Sequence, residues 1–536
     1  MVAAPAIYFA TAVAITFPLI ARLTTHFPGK PGDNDVFGFI WNNWWTSHAL
    51  TRLHRSPFQT DYLFTPFTID LRLHTFGALY GLLSIPITSS GGPVLALNLQ
   101  IFGTIVLNGF SAFLLARDLA RDDRAALLSG LLVAATPAIN FHIAMGRVSC
   151  AAVWPVILSM FLFLRLLDRP GLSRAVPLIL ALWAMLAADQ QIALFGVLWL
   201  GVLAVARARR IADRRLLGAA VLVVALVAPA VAWLYLQPFA GAGGYTVPAA
   251  SEAATYSYPI WLLWTPAPFW RVYGTVLPLG VIAAAGIAFR KRPVVPWIAG
   301  TGLCVLLSLG PSAADSSLAM PFSVLQRFPG MAQFRTPYRF QIPAAIGAAI
   351  CVAYSLAFFR QRVKWGNALA ILAAVVAAID LAAYRVIEGF PLQTRSHHPI
   401  YATLADRHDA RPILEVPVGV RSGTDLIGTG ETLNFEQPVH QRRLINGMIA
   451  RVPLEALDYY RRSPALMFLG DEADAPANEL SSDLRRVLDE LDVSYVVVHP
   501  PLLSEQRRAT IRSLIEDFGE LQRIYADPEI LVFRRR

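Results

Sequence analysis

At 536 residues the chain is long enough for more than one domain, yet it is 55% hydrophobic and only 15% charged, with a mean hydropathy of +0.50. A soluble chain carries about a quarter charged residues, so most of this one belongs in lipid and a soluble enzyme is excluded. The net charge of +10 does not point to nucleic acid, because the arginines punctuate the apolar runs instead of gathering on one soluble face.

In chain order, a membrane span needs about 20 predominantly apolar residues. Eleven stretches qualify: 5–24, 94–116, 125–143, 151–167, 175–190, 191–206, 216–239, 272–289, 293–310, 338–359 and 366–386. The first has no basic n-region and no small-x-small cleavage site, and reads as an uncleaved span. The stretch 76–91 is apolar but short and ends in Ser89-Ser90-Gly91-Gly92, so it is expected to be re-entrant or interfacial. With the N-terminus in the cytoplasm, the basic loops 117–124, 165–174, 207–215, 290–292 and 360–364 all fall inside, as the positive-inside rule requires. Counting 76–91 as a span would break that alternation from residue 117 onward. The same topology turns the polar segments 25–75, 144–150, Asp189 to Gln191, 240–271 and 311–337 outward, with everything after about residue 387. Cys150, Cys304 and Cys351 lie in or beside apolar runs without metal-ligand spacing, so no disulfide is expected.

The residues after about 390 change character. Ile413–Val416, Ser494–His499 and Glu529–Phe533 read as strands, and Leu484–Leu491 and 504–518 as amphipathic helices. The fold class is therefore mainly α: a polytopic transmembrane helical bundle of about eleven spans (1–390, first outer loop 25–75), followed by a small extracytoplasmic α/β domain (391–536). That domain shows no nucleophile elbow and no phosphate loop, and its His397, His398 and His440 stand apart from co-ligands in sequence.

The first outer loop opens with the turn cluster Pro28-Gly29-Lys30-Pro31-Gly32, then Asp33-Asn34-Asp35. From Val36 to Leu53 the apolar positions, including Trp41, Trp44 and Trp45, recur at helical spacing, as in an amphipathic helix lying in the membrane interface. Asp33 then fits an N-cap and Asp35 a first-turn carboxylate. Capping accounts for one carboxylate better than for two, and a pair at a membrane surface also suits a hard divalent cation, Mg or Mn, or an acid–base role. Asp61 and His74 farther along the loop are candidate substrate contacts, although a lone His at a boundary is more often hydrogen-bonded structure. Asp70 and Arg72 suit a local pair worth little.

His142 and Arg147 lie at the outer end of the third span. An outward Arg beside an apolar core suits a phosphate, with interfacial snorkelling as the bland alternative. Asp189-Gln190-Gln191 is the only polar break in 175–206 and must face water or a polar cavity. Phe334-Arg335-Thr336-Pro337-Tyr338-Arg339-Phe340 enters the tenth span from outside. Its aromatic residues fit an interfacial belt, but the Arg pair does not, which makes Arg335 and Arg339 a second candidate anion site.

Taken together, Gly32-Asp33-Asn34-Asp35, the Trp-rich helix, Ser56-Pro57 through Asp61, Pro66 and His74-Thr75, the Phe334 to Phe340 segment, and the trailing Asn446-Gly447 and Tyr495 to His499 resemble the GT-C superfamily of polytopic glycosyltransferases, especially its bacterial YfhO-like members. The resemblance implies an inverting transfer of a sugar from a polyprenyl-phosphate-linked donor to a glycan, lipid or protein acceptor at the outer face of the cytoplasmic membrane. It implies Asp33 or Asp35 as catalytic base or metal ligand. Arg335, Arg339 and Arg147 would hold the donor phosphate, and Asp61, His74, His142 and Tyr338 would contact substrate. No second acidic motif follows in the next outer loop, and no Trp-Trp-Asp-type signature stands in the C-terminal domain. The competing expectation is a transporter or a lipid- or polysaccharide-handling protein, which predicts polar residues at mid-bilayer and inverted repeats. Intramembrane charges are few here, no repeat is visible, and polarity gathers at one surface.

Overall fold

The computed structural model describes residues 3–211, 213–240, 244–245, 248, 250–258, 272–311, 319–328, 331–405, 411–423 and 425–536. Parts of the two expected outer segments 240–271 and 311–337 lie outside the described residues. The chain divides into two compact units. Met1–Val36, Gly77–Gln237 and Pro248–Thr394 form the first; Phe37–Phe76, Pro238–Val247 and Arg395–Arg536 form the second. Most of the first outer loop thus groups with the C-terminal residues.

The first unit is a helical bundle, as backbone in hydrocarbon must be, since only a helix satisfies its own N–H and C=O groups there. Each of the eleven apolar intervals holds a helix. Among the described residues, Ala78–Ala120, Asp123–Ala144, Ser149–Asp168, Arg214–Leu236 and Pro337–Arg362 are long and apolar enough to cross a membrane, and six shorter apolar helices accompany them. The stretch 76–91 is helical from Ala78 and joins the next interval through Gly92, whose φ of +85° breaks the helix. A straight helix of 43 residues would be about 65 Å long, twice a bilayer core of about 30 Å. Glycine tolerates that backbone and Pro93 cannot donate to the preceding turn, so the rod is divided there.

Burial sorts the helices. Helix Gln341–Arg362 runs through the centre, buried at every position from Gln341 to Phe358, and packs against Asp123–Ala135, Val276–Ile287 and Val295–Ser308. Small residues make this possible. Gly300 and Gly347 leave the space that the Trp199 ring fills, and the Trp199 indole N–H donates to the Pro343 carbonyl at 3.1 Å. The apolar window of Arg214–Leu236, by contrast, is only 11% buried, with Val221, Val224 and Leu226 exposed, the pattern of a lipid-facing helix.

The basic loops meet at one end of this unit. Arg165 pairs with Asp118 at 2.6 Å, Arg117 with Asp123 at 2.7 Å, Arg360 with Asp122, and Arg207 and Arg210 reach Asp168 at 3.6 and 3.4 Å. Loops 117–124, 165–174, 207–215 and 360–364 therefore share one surface.

In the second unit a four-stranded sheet runs in the order Leu521–Ala526, Leu531–Arg535, Tyr495–Val498, Ile413–Val416, the last pair parallel and the others antiparallel. Helices Ala477–Glu490 and Glu505–Glu516 accompany it, so the expected α/β pattern is present. Three strands, Leu426–Gly428, Gly419–Arg421 and Gly447–Met448, form a second sheet. A helix, Asp35–Thr51, occupies the expected interval, but it is not amphipathic: Asn42, Asn43, Thr46 and His48 are buried along with the apolar positions, and its indoles do not await lipid. Trp41, Trp44 and Trp45 are buried in protein, and the indole N–H groups of Trp41 and Trp45 donate to Gln437 Oε1 at 2.6 Å and Pro57 O at 2.9 Å. The histidines also have partners from distant segments: His397 bonds Glu436 at 2.8 Å and His398 bonds Asp527 at 2.9 Å. Glu415 is fully buried between Tyr401 and His499, at 2.9 and 2.8 Å. Burial pushes its carboxyl up from the usual range, against the hydrogen bond from His499.

Candidate active site

The turn at residues 30–33 decides which way the two carboxylates of the first loop face. Asp33 closes that turn: its N–H donates to Lys30 O at 2.9 Å and its carboxylate accepts from Lys30 N at 3.0 Å. It therefore bonds back into the turn and does not cap the helix, which begins at Asp35. Asp35, in the first helical turn, pairs instead with Arg147, Oδ2 to Nη2 at 2.7 Å. The approach depends on Gly146, whose φ is +69° and whose missing Cβ leaves room for Val36.

Around this pair the first unit gathers other segments expected to face outward. The Arg339 guanidinium donates to Gln191 Oε1 at 2.6 Å and lies 3.9 Å from Cys150 Sγ and 3.4 Å from the Tyr338 hydroxyl. Cys150 in turn lies 3.9 Å from Asp189 Oδ2 and within electrostatic reach of Asp35, Arg147, Asp189 and Arg339. His142 stacks parallel to Tyr338, ring centroids 6.3 Å apart, and faces both Arg339 and Arg147. Asp35, Arg147, His142, Tyr338 and Arg339 of the expected site are thus one cluster. Asp189, Gln191 and Cys150 belong to it as well. Only the polar break at Asp189-Gln190-Gln191 signalled any of these three in the sequence.

The arginines in and near this cluster are held in different ways. Arg147 is held by Asp35, and Arg335 is held by Glu252 at 3.1 Å and lies over the Tyr256 ring at 5.7 Å. Arg339 has no carboxylate within ion-pair distance among the described residues; its hydrogen-bond partners are neutral, and Asp189 acts on it from farther away. Buried polar atoms beside it also lack hydrogen bonds among the described residues: Arg147 Nε, His142 Nδ1, Ser149 Oγ and Thr336 Oγ1. Orphaned groups of this kind are costly in a closed core and mark space for a polar ligand. Asp189 is buried and accepts from Gln191 N at 2.8 Å.

The remaining candidates lie elsewhere. Asp61 belongs to the second unit, bound by Arg55 and, at 2.7 Å, by Arg443. His74 also belongs there and accepts from the Ala450 amide at 2.9 Å. Asp70 and Arg72 do form their local pair, at 2.6 Å. The aromatic residues beside Arg335 are core: Phe334 and Phe340 pack on one another and on Phe322. For a divalent cation the donor set does not fit. Asp33 is turned to its own backbone, Asp35 faces a guanidinium, and among the described residues no three His, Cys, Asp or Glu side chains are grouped to hold a metal.

The arrangement of helices has counterparts among solved structures. The oligosaccharyltransferase of Archaeoglobus fulgidus, in complex with Zn and sulfate, superposes with a TM-score of 0.51 at 12% identity, over 99% of this chain and 73% of that one. The same protein tethered to an acceptor peptide gives a TM-score of 0.53 at 13% identity, over 100% and 74%. ArnT from Cupriavidus metallidurans in the apo state gives 0.50 at 11% identity, over 98% and 97%. The chain shares the fold of these proteins, and at such identities the likeness is one of fold alone. No family model matches the sequence, and no curated protein does. That fold and the apolar helices together make this a membrane protein.

Proposed function

We propose that the protein is an inverting membrane glycosyltransferase that moves a sugar from a polyprenyl-phosphate-linked donor to a glycan, lipid or protein acceptor at the outer face of the cytoplasmic membrane. The N-terminus is cytoplasmic and the residues after about 390 are extracytoplasmic. The observation that carries the reading is Arg339: a guanidinium without a carboxylate partner among the described residues, amid orphaned polar groups and near a carboxylate on a helix start. Fold alone would leave the chemistry open.

In this reading Arg339 takes the phosphate of the donor, and His142 Nδ1 and Arg147 Nε supply further polar contacts. Asp35, its carboxylate plane set by Arg147, accepts the proton of the acceptor hydroxyl. The acceptor oxygen bonds to the anomeric carbon as the bond from that carbon to the phosphate oxygen breaks. The lipid phosphate leaves with the electron pair, and its growing charge is met by Arg339. A single displacement inverts the anomeric centre. No step is routed through a metal.

The test is sugar transfer in membranes from radiolabelled polyprenyl-phosphate sugars. Arg339→Gln is expected to lower turnover by about 100-fold or more, the usual cost of removing a donor from a developing oxyanion. Arg335→Gln, which breaks an ion pair outside the cluster, is expected to cost far less. Equal losses from both variants, or full activity in Arg339→Gln, would remove Arg339 from the donor site. Accumulation of substrate across the membrane without a glycosidic product would favour a transporter instead.

A further inference from the structure

At the other end of the first unit, a cavity of about 1040 Å³ opens between helices Gln190–Ala206 and Val295–Ser308. Its walls are apolar and made deep by small residues. Val197, Gly201, Ala299 and Leu303 line its length, Phe289 flanks it, and Arg292 stands at its mouth. A Cβ added at Gly201 would meet nothing within 4 Å. Arg292 adjoins Arg290 and Lys291, and among the described residues none of the three makes an ion pair. The wall ends at Val205 and Ala206, next to Arg207, whose loop shares the surface of paired basic loops. This is far from the chemistry proposed above, and no residue of the cavity belongs to that cluster.

The dimensions select the occupant. From Ala206 back to Val197 is nine helical steps, about 14 Å, and one leaflet of a bilayer core of about 30 Å is about 15 Å deep. An apolar slot one leaflet deep, lined by Arg292 with Arg290 and Lys291 next to it in the chain, complements a lipid with an acyl chain and an anionic head. We infer that this groove is a binding site for an anionic bilayer phospholipid, distinct from the site of sugar transfer. A zwitterionic lipid carries its own cation beside the phosphate and gains less from the Arg290-Lys291-Arg292 cluster.

The full-length protein, purified in detergent and exchanged with equimolar phosphatidylglycerol and phosphatidylcholine, tests this by native mass spectrometry. Phosphatidylglycerol is expected to be retained in preference. The triple variant R290Q/K291Q/R292Q should reduce that retention about tenfold or more, because it removes the positive charge that an anionic headgroup would meet. Gly201→Leu, placed where the structure has open space, should displace lipid of either kind. The pair R214Q/R215Q, basic residues outside the groove, should leave retention unchanged. The inference is overturned if the two lipids are retained equally, if R214Q/R215Q lowers retention as much as the triple variant, or if Gly201→Leu changes nothing. None of these readouts depends on whether the protein transfers a sugar.

Discussion

A carboxylate two residues from another would ordinarily share its surroundings, but the start of helix Asp35–Thr51 divides this pair. Asp33 completes a turn to Lys30, whereas Asp35 is held by Arg147, which comes from a loop more than a hundred residues away. The two should therefore separate on mutation. Asp35→Asn is expected to cost 10²- to 10⁴-fold in turnover, about the worth of a general base, with substrate binding less affected. Asp33→Asn removes a charge but keeps an oxygen that can accept from Lys30 N, and is expected to change transfer only a few-fold. Initial rates of both variants in membranes decide the matter, and a dead Asp33→Asn beside an active Asp35→Asn would reverse the assignment. Much of this cluster was legible from charge alone. Asp35, Arg147 and Arg339 stand out because charges are sparse where they lie. Gln191 showed only as part of the polar break at Asp189-Gln190-Gln191, and Cys150 not at all, since a neutral residue at a helix end carries no signal until the fold brings it beside a guanidinium. Nor could sequence show that Glu252 takes up Arg335.

Helices in lipid announce themselves because every residue facing hydrocarbon must be apolar, which explains why each predicted interval holds a helix. What surrounds a helix is harder to read. The Trp-rich pattern of residues 36–53 is the same whether the indoles meet headgroups or protein, and only the fold shows Trp41 bonded to Gln437. Likewise, nothing in the composition of Gln341–Arg362 announces that it is central and Arg214–Leu236 peripheral, for both are uniformly apolar. The glycines carry the distinction. At Gly347 a side chain would press on the Trp199 ring and Thr301, whereas at Gly218, on the lipid-facing helix, it would meet nothing within 4 Å. Gly347→Val should destabilise the protein by about 1–3 kcal/mol, the cost of overpacking a filled core. Gly218→Val should stay near the parent. The comparison is a thermal melt of the two variants in the same detergent, and equal melting temperatures would contradict the central place of Gln341–Arg362.

For the molecule as a whole, the physical question is which side of the membrane each end of the bundle faces. Four basic loops far apart in sequence are tied together by Arg–Asp pairs such as Arg165–Asp118 and Arg360–Asp122, so they form one surface and must lie on one side together. Pairs between partly exposed groups are each worth little, so the loops gain their sidedness from lysine and arginine bias rather than from these contacts. The cluster of Asp35, Arg147 and Arg339 draws on the segments that alternate with those loops. In the proposed reading, the positive-inside rule sends the chemistry outward, where a lipid-borne donor would be used without a cytoplasmic nucleotide sugar. A reporter that is active only after export, such as alkaline phosphatase, should be active when fused after Arg536. It should be inactive when fused after Lys291, in the loop beside the lipid groove. The reverse pattern would place the cluster in the cytoplasm, and the carboxylate and guanidinium would then have to serve a donor presented from inside. The proposed outer-face reaction would fall with it, while the groove, argued from depth and charge alone, would stand on whichever leaflet it faced.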